Sequence, residues 1–311
     1  MEIKIYTSEL KAEWDNFIRC SKNGTFLFHR DFIEYHGDRF NDYSLLFYEK
    51  GELTAVMPGH IENQIFYSHQ GLSYGGLIMS PRAKAKDILS IFEHLTFTFR
   101  QQGIKKIVYK TVPHIYHRQP SEEDLYALFR YKAILTARNI SSTIYLPERL
   151  NYSELRRRGI KKAEKNKLSV EKSNDFEPFW HILSVNLQTK YNKQPVHSPE
   201  EMSYLKRKFP DNIHLFTTKD KNNDIIAGTV IFETETVAHI QYIAASEEGK
   251  EQGALDLLVD YIINTAYPDK KYFDYGVSTE DNGYYLNENL IRQKEGFGAR
   301  GTVYDIYTIN L

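Results

Sequence analysis

The sequence lacks several features that would assign it to a specialised class of protein. It holds one cysteine, Cys20, among 311 residues, which excludes an internal disulfide and a thiolate metal site. No stretch approaches the roughly 18 consecutive apolar residues of a membrane span, and the first residues lack the apolar core of a signal peptide. We therefore expect a soluble, cytoplasmic protein.

An excess of charge of one sign is also missing. The 40 Lys and Arg nearly balance the 41 Asp and Glu, which argues against a protein that holds DNA by its field alone. A hydrophobic fraction of 41% indicates a globular protein, and 311 residues are about the length of two compact domains. The balance of charge favours a small or mixed-charge substrate.

One order of predicted elements occurs twice along the chain. Apolar runs separated by polar turns over Tyr43–Met79 predict a meander of three strands, followed by a helix over Ala83–Gln102 and a short strand at Lys105–Val108. The same order recurs in residues 213–278, with its helix predicted over Gln252–Ala266. The repetition predicts two tandem α/β units, residues 1–150 and residues 151–311.

Three motifs give this pattern a specific resemblance. They read VPHIYHRQPSEEDLYAL at Val112–Leu128, LRRRGIKKAEKNKLSVE at Leu155–Glu171 and ENLIRQKEGFGAR at Glu288–Arg300. Their order resembles that of the FemAB-type transferases, which are two Gcn5-related N-acetyltransferase (GNAT) units in tandem. The resemblance implies an α/β fold of two GNAT-like units, each a mixed, mostly antiparallel sheet flanked by helices, and an acyltransferase activity.

The resemblance implies that acyl-coenzyme A binds where the third strand of a unit leaves the next parallel strand. In the second unit, Ala244 and Ala245 end the third strand. Lys250, Gly253 and Ala254 then approximate the basic and small residues that would hold the donor's pyrophosphate. An ordinary helix start explains the same residues. The equivalent loop of the first unit, SYGGLIMSPRAKAKDIL, has more positive charge, so either unit is a candidate donor site.

Polar and aromatic residues of the first unit follow its third strand and its last strand. Acyl transfer to an amine needs a proton acceptor and a donor for the developing oxyanion. We predict catalytic roles for His69 and Tyr116 and substrate contacts for Gln70, Tyr74 and His114. A histidine bonded to loop backbone is the competing interpretation of this cluster. No metal site is predicted, because the two histidines of PHIYHRQP have no further ligands beside them.

The second unit offers matching candidates after its own parallel strand. Asp274 lies within an apolar run, where a carboxylate must pair or accept hydrogen bonds, and strand alternation places Ser278 on the same side. We predict that Asp274 is catalytic and that Ser278 contacts the substrate, although a structural role for Asp274 is equally plausible. The resemblance also implies that Tyr191 and His197, in a polar loop, face the substrate.

One lysine breaks the amphipathic pattern of the last predicted helix. Lys294 lies between Leu290 and Ile291 on the apolar arc, whereas the other charged residues lie opposite. A lysine in the last turn of a helix ending near Gly296 is common, since it interacts with the exposed carbonyl groups. The lysine that precedes the Phe-Gly pair in FemAB-type enzymes is implicated in stabilising the transferring carbonyl, so the resemblance implies the same role for Lys294.

The basic run Arg156–Lys167 is the one concentrated positive segment of the sequence. On a helix begun by Asn151, with Glu154 three residues later, its charges would point nearly all round. A solvated surface explains such a run. Binding of a phosphate group on a nucleotide-linked donor or substrate is the functional alternative.

The leading hypothesis is transfer of an acyl or aminoacyl group to an amine of a sugar, amino acid or peptide precursor of the cell envelope. Two alternatives remain. One is a non-catalytic binding protein whose donor site has decayed, and the other is a tRNA-dependent aminoacyltransferase. The expected partners are small molecules or peptide and sugar precursors, without DNA.

Overall fold

The computed structural model describes residues 1–37 and 39–311, apart from the side chains of His36 and Tyr191. The chain forms two compact units. Unit 1 comprises Met1–Ile140, Thr279–Tyr285 and Thr302–Leu311, and unit 2 comprises Ser141–Ser278 and Leu286–Gly301. The expected division at residue 150 thus differs from the observed one, because the last strand of the chain pairs with a strand of unit 1.

The strands are numbered in chain order. They are β1 (Glu2–Ile5), β2 (Leu45–Glu49), β3 (Glu52–Met57), β4 (His60–Glu62), β5 (Ile65–Tyr67), β6 (Ile78–Met79), β7 (Lys106–Lys110), β8 (Ile134–Tyr145), β9 (Ser169–Ser173), β10 (Ile213–Lys219), β11 (Ile225–Glu233), β12 (Val237–Ala245), β13 (Tyr272–Val277), β14 (Thr279–Glu280), β15 (Tyr285–Leu286) and β16 (Arg300–Asn310).

The α-helices follow the same numbering. They are α1 (Lys11–Cys20), α2 (Arg30–Ile33), α3 (Ala85–Gln101), α4 (Glu123–Arg130), α5 (Glu154–Lys165), α6 (Glu177–Tyr191), α7 (Pro199–Lys208), α8 (Glu247–Gln252), α9 (Ala254–Tyr261) and α10 (Glu288–Glu295).

Unit 1 contains two groups of paired strands. Strands β1, β2, β3 and β6 form an antiparallel sheet in the order β1–β2–β3–β6. Strands β4, β5, β7 and β16 pair in that order, with β5 and β7 parallel. Helix α3 buries the apolar residues whose spacing predicted it, and they join the core of this unit: Ile88, Ile91, Phe92, Leu95 and Phe99.

Unit 2 contains one sheet in the order β8–β13–β12–β11–β10–β9, to which β8 contributes residues 141–145. Strands β12 and β13 are its parallel pair. Helix α9 packs on one face, where Leu258 and Val259 join the core with Ile240 and Phe273. Each unit is therefore a mixed, mostly antiparallel sheet flanked by helices, as predicted.

Several predicted elements differ in detail from the observed ones. The three-strand meander of Tyr43–Met79 is five short strands, β2 to β6. The helix predicted over Gln252–Ala266 is interrupted, because Gly253 has a left-handed φ of 80° and separates α8 from α9. Helix α5 begins after Ser153, whose hydroxyl accepts a hydrogen bond from the backbone N–H of Arg156, and not at the predicted Asn151.

Candidate active site

Strands β12 and β13 run together for a short distance and then separate. Their parallel pairing ends where His239 lies opposite Asp274, although β12 continues along β11 as far as Ala245. An extra residue, Gln241, interrupts the pairing of β12 with β11 just beyond this point. The predicted donor-binding residues Ala244 and Ala245 lie buried at the end of β12. We call the point where the two strands separate the divergence.

Asp274 is a buried carboxylate at the divergence. Its Oδ1 accepts hydrogen bonds from the hydroxyls of Ser141 (2.6 Å) and Thr143 (2.7 Å). Its Oδ2 lies 2.8 Å from Nδ1 of His239 and accepts a bond of 3.2 Å from the N–H of Gly276. Burial alone would raise the pKa of Asp274, but His239 and the two hydroxyls outweigh it and lower the pKa. Asp274 is therefore ionised at neutral pH.

The side chain of Lys294 points into unit 2 and binds the end of β13. Its Nζ donates hydrogen bonds to the carbonyl oxygens of Gly276 (2.7 Å) and Val277 (2.9 Å) and to Oγ of Ser278 (2.8 Å). Burial lowers the pKa of Lys294 to about 8, and the charge of Asp274 partly opposes this shift. Lys294 is 8% exposed, so the ammonium is not a solvent-facing cap of its helix.

Helix α10 is fixed against the residues that follow β13. The side chain of Asn287 caps the helix by accepting from the N–H of Leu290, and the N–H of Asn287 donates to the carbonyl oxygen of Ser278 at 2.9 Å. The helix ends at Glu295 with Gly296 as its cap, as predicted. These contacts aim Lys294 at the end of β13.

Gly276 connects the lysine with the histidine. Its φ of 76° belongs to the left-handed region, which favours glycine, and the pairing of β13 with β8 shifts register here. A Cβ at this position would lie 3.5 Å from Cε1 of His239. The imidazole of His239 therefore lies beside the residue whose carbonyl accepts from Lys294. The ammonium of Lys294, the carboxylate of Asp274 and the imidazole of His239 thus meet around the end of β13 in unit 2.

His239, Ser141 and Thr143 were not among the predicted site residues. His239 interrupts the apolar strand VAHIQYIAAS as Asp274 interrupts YFDYGV, and these two isolated polar residues were the available signal. Strand alternation cannot tell which of two distant strands become neighbours, so their pairing was not predictable. Ser141 and Thr143 gave no signal of their own, since hydroxyl residues are common in strands.

His197, which is predicted to face the substrate, lies on the connection between α6 and α7 of unit 2. His197 is buried, its Nδ1 lies 2.5 Å from the hydroxyl of Tyr242, and its carbonyl accepts from Nε1 of Trp180 at 2.9 Å. Burial raises the pKa of Tyr242 to about 12. Tyr191 ends α6, and its side chain is outside the described residues, so its predicted substrate contact stays a prediction.

The predicted pyrophosphate residues lie at the junction of α8 and α9. A Cβ on Gly253 would lie 2.4 Å from the carbonyl oxygen of Gly159 on α5, so glycine is required here for close helix packing. Ala254 is buried, and Lys250 forms an ion pair with Glu247. The close approach of α5 gives the small residues a packing role, and their predicted contact with a donor stays a prediction.

A cavity of about 780 Å³ lies beside this junction. Basic side chains dominate its lining: Arg156, Arg158, Lys161, Lys162, Lys165 and Lys250. Asp256 is paired with Arg156 and Glu247 with Lys250, which leaves four basic groups of the lining, Arg158, Lys161, Lys162 and Lys165, and one other carboxylate, that of Glu251. The basic run therefore lines a concave surface that attracts anions.

The candidates of unit 1 fall into two sequence neighbours, His69 and Gln70, a pair of packed tyrosines, and His114. His69 is 3% exposed with a left-handed φ of 64°, while Oε1 of Gln70 accepts a hydrogen bond of 3.2 Å from Nε2 of His60. Tyr74 and Tyr116 are buried and their ring centroids are 4.3 Å apart. His69, Tyr74 and Tyr116 are thus packed in the interior of unit 1 and Gln70 is exposed, and the predicted catalytic and substrate roles of all four stay predictions.

His114 is exposed, as Gln70 is, whereas the other three candidates of unit 1 are buried, and its predicted substrate contact stays a prediction. Tyr116, two residues later, shares a hydrogen bond of 2.8 Å with the hydroxyl of Tyr304, and that contact belongs to unit 1 as well. Unit 1 thus presents an exposed histidine near a buried tyrosine pair.

The described residues contain neither a candidate metal site nor a candidate membrane span. Within them, no group of His, Cys, Asp and Glu is arranged to hold a metal ion. No helix in the ranges 1–37 and 39–311 has the length and apolar character needed to cross a bilayer.

Comparisons with known proteins bear on the fold. No protein-family model matches the sequence, and no curated protein matches it. Among solved structures, FemX is similar with a TM-score of 0.70 at 11% identity, covering 100% of this chain and 98% of that chain. A tandem GNAT protein from the clavulanic acid biosynthesis pathway is similar at 0.51 and 9% identity, covering 99% and 98%.

A third similar structure is the C-terminal domain of a protein assigned as a lysylphosphatidylglycerol synthetase from Agrobacterium fabrum. Its TM-score is 0.62 at 10% identity, and the match covers 98% of this chain and 92% of that chain. The chain therefore has the FemAB-like tandem GNAT fold that its motifs resemble.

Proposed function

We propose that this protein is an acyltransferase that moves an acyl or aminoacyl group to an amine of a sugar, amino acid or peptide precursor of the cell envelope. The observation that carries the proposal is the buried ammonium of Lys294 at the end of β13, beside the divergence. Folds of the observed type are shared with FemX and with a tandem GNAT protein, which supports the reaction class.

Lys294 supplies the positive charge that the reaction needs. When an amine attacks an acyl carbonyl, the oxygen becomes anionic, and a nearby cation in a dry site stabilises it. An ammonium has three N–H donors, and in Lys294 all three donate to protein oxygens. The oxyanion would therefore take the place of one carbonyl oxygen as an acceptor of Lys294, or it would accept a hydrogen bond from the hydroxyl of Ser278. The oxygen of that hydroxyl accepts from Lys294, and its hydrogen is left to donate.

The basic cavity beside α5 supports a donor that carries phosphate groups. Coenzyme A and the acceptor end of an aminoacyl-tRNA both meet this description. The close packing of Gly159 on Gly253 buries the backbone that would hold the pyrophosphate of coenzyme A in the expected way. The exposed cations Arg158, Lys161 and Lys165 suit a longer polyanion, so aminoacyl-tRNA is the second candidate donor.

The donor can be identified with purified protein and two sets of compounds. One set is acetyl- and longer acyl-coenzyme A, and the other is total tRNA charged with radiolabelled amino acids. Thermal stability reports binding, since a ligand at a hundred times its Kd adds about 2.7 kcal/mol. Transfer is measured with glucosamine, lysine and a lysine-containing pentapeptide as acceptors. Binding without transfer in every combination would favour the non-catalytic alternative.

Charge reversal on α5 tests the basic cavity. The triple variant Lys161→Glu, Lys162→Glu, Lys165→Glu should weaken binding of the phosphate-bearing donor by at least tenfold at low salt, and by less as salt rises. The matched control reverses three exposed lysines of unit 1: Lys86, Lys105 and Lys106. Equal loss in both triple variants would assign the effect to net charge and would remove the cavity from the donor site.

A further inference from the structure

Resting on the proposed acyl transfer, the geometry points to His239 as the base that accepts the proton of the attacking amine, with Asp274 as its positioning residue. The two side chains join β12 to β13 at the last paired position before the divergence. The side chain of His239 is 12% exposed, whereas that of Asp274 is fully buried. Asp274 is therefore the buried member of the pair, and His239 is the partly exposed member.

The contacts of Asp274 determine which nitrogen of His239 acts as the base. Oδ2 of Asp274 is an acceptor 2.8 Å from Nδ1, so the neutral imidazole carries its proton on Nδ1 and donates it to the carboxylate. The hydroxyls of Ser141 and Thr143 donate to the other carboxylate oxygen and fix its orientation. Nε2 is then the basic nitrogen, and the carboxylate of Asp274 holds the ring in this tautomer.

The chemical step balances with this one base. The amine nitrogen attacks the acyl carbon, a C–N bond forms, and the carbonyl π pair moves to oxygen beside the charge of Lys294. Nε2 of His239 takes a proton from the nitrogen. The bond from carbon to the donor's ester oxygen or thioester sulfur then breaks with its electron pair, and the leaving atom takes the proton back from Nε2. An amide and a protonated leaving group result, and the histidine is again neutral.

The neighbouring elements contribute few other charges to this pair. From β13 comes Asp274, and from α10 comes Lys294, whose charge interacts with Asp274. Strand β8 contributes only the hydroxyls described above, and β11 places Phe232 opposite His239.

A second histidine–carboxylate pair in unit 2 provides a control. Nε2 of His214 lies 3.0 Å from Oε2 of Glu233, and His214 belongs to β10, which is not adjacent to β13. His239→Asn keeps an N–H donor near the position of Nδ1, which faces Asp274, and removes Nε2. His214→Asn is the same substitution at the control pair, where it also removes the nitrogen that faces Glu233. The variants differ in their distance from the divergence.

The test measures transfer from the donor that the wild type uses, over a range of pH. His239→Asn should lower kcat/KM by about 10²–10⁴-fold and abolish the acidic limb of the pH profile. His214→Asn should keep the wild-type kcat/KM and the acidic limb. Wild-type rate and pH profile in His239→Asn would overturn the base. A wild type that transfers nothing would instead overturn the proposed function, so the two failures are distinguishable.

Nitrogen NMR of ¹⁵N-histidine-labelled protein tests the pair without any donor. Wild-type His239 should carry its proton on Nδ1 in the neutral form, and Asp274→Asn should remove that preference while leaving the signals of His214 unchanged. A proton on Nε2 in the wild type would overturn the proposal, whatever the activity. Asp274→Asn should also lower transfer and shift the acidic limb, which a purely structural carboxylate would not do.

Discussion

Each unit contains a lysine that donates to two backbone carbonyl oxygens, partly buried in unit 1 and buried in unit 2, and the two lysines differ in what surrounds them. Nζ of Lys110 in unit 1 binds the carbonyl oxygens of Gln70 (2.9 Å) and Leu72 (2.6 Å), and burial lowers its pKa to about 8. Lys294 in unit 2 has a pKa lowered to the same value, but it lies near the carboxylate of Asp274. A lowered pKa alone therefore does not identify a catalytic lysine.

The strand pairs that end beside these lysines differ in the same way. In unit 1, the parallel pair β5–β7 is followed by Ser68, whose N–H donates to Val108 (2.9 Å) and whose Oγ accepts from the N–H of Lys110 (2.8 Å). The loop is thus bonded to the end of the neighbouring strand. In unit 2, the last paired position of β12 and β13 holds His239 and Asp274, where the last pair of β5 and β7 in unit 1 is Tyr67 and Val108. This difference supports unit 2 as the working unit of the proposed enzyme.

The largest expected difference between the units concerns activity. Lys294→Met should lower kcat by about 10²–10³-fold, because it removes the charge that stabilises the oxyanion, while the fold stays intact. Lys110→Met is the matched variant, with the same loss of a hydrogen-bonded ammonium, and it should retain activity. Circular dichroism and thermal unfolding of both variants check the fold.

Equal activity of the two methionine variants would contradict this contrast. Full activity in Lys294→Met would indicate that the lysine serves only to hold α10 against the end of β13. An equal loss in both would indicate that the reaction needs both units intact.

Substitution of two glycines with left-handed φ should lower the free energy of unfolding of the protein by different amounts. Gly253→Ala in unit 2 brings a Cβ within 2.4 Å of the Gly159 carbonyl oxygen at a φ of 80°, whereas Gly103→Ala in unit 1 meets nothing within 4 Å at a φ of 75°. We expect a loss of about 3 kcal/mol in unfolding free energy for Gly253→Ala and about 1 kcal/mol for Gly103→Ala. Urea unfolding measures both, and equal losses would mean that α5 and α9 separate at little cost.

The smallest expected effect is a dependence of transfer on alkaline pH. Since the pKa of Lys294 is lowered to about 8, its charge is lost as the pH rises through that value, and the rate should fall about tenfold per pH unit above it. Lys110→Met should keep this limb. Lys294→Arg holds its charge at these pH values, so any residual activity should lack the limb. A flat profile in the wild type would show that the charge of Lys294 is not required.

Local patterns predicted much of the fold. The spacing of Ile88 to Phe99 predicted α3, which buries these residues in the core of unit 1. The inward direction of Lys294 followed from its place on an apolar arc. These features depend on residues close together in the chain, where the period of a helix is enough to fix the geometry.

The pairings between distant segments were not predictable. His239 and Asp274 are 35 residues apart, and their contact depends on β12 and β13 becoming neighbours in register. The observed division differs from residue 150 for a related reason, since nothing in the local pattern of β16 indicates which unit the strand joins. Such contacts are selected by the whole sheet and not by the segment.

The position of β16 has a consequence for synthesis. Ile306 pairs with Lys110, so a strand made early waits for nearly the whole of unit 2 to be translated before its partner exists. Unit 2, whose sheet uses residues 141–277, has its strands available first. Unit 1 closes the longer loop and should be the later unit to complete its folding, with its strand β7 exposed to chaperones or to misassembly in the interval.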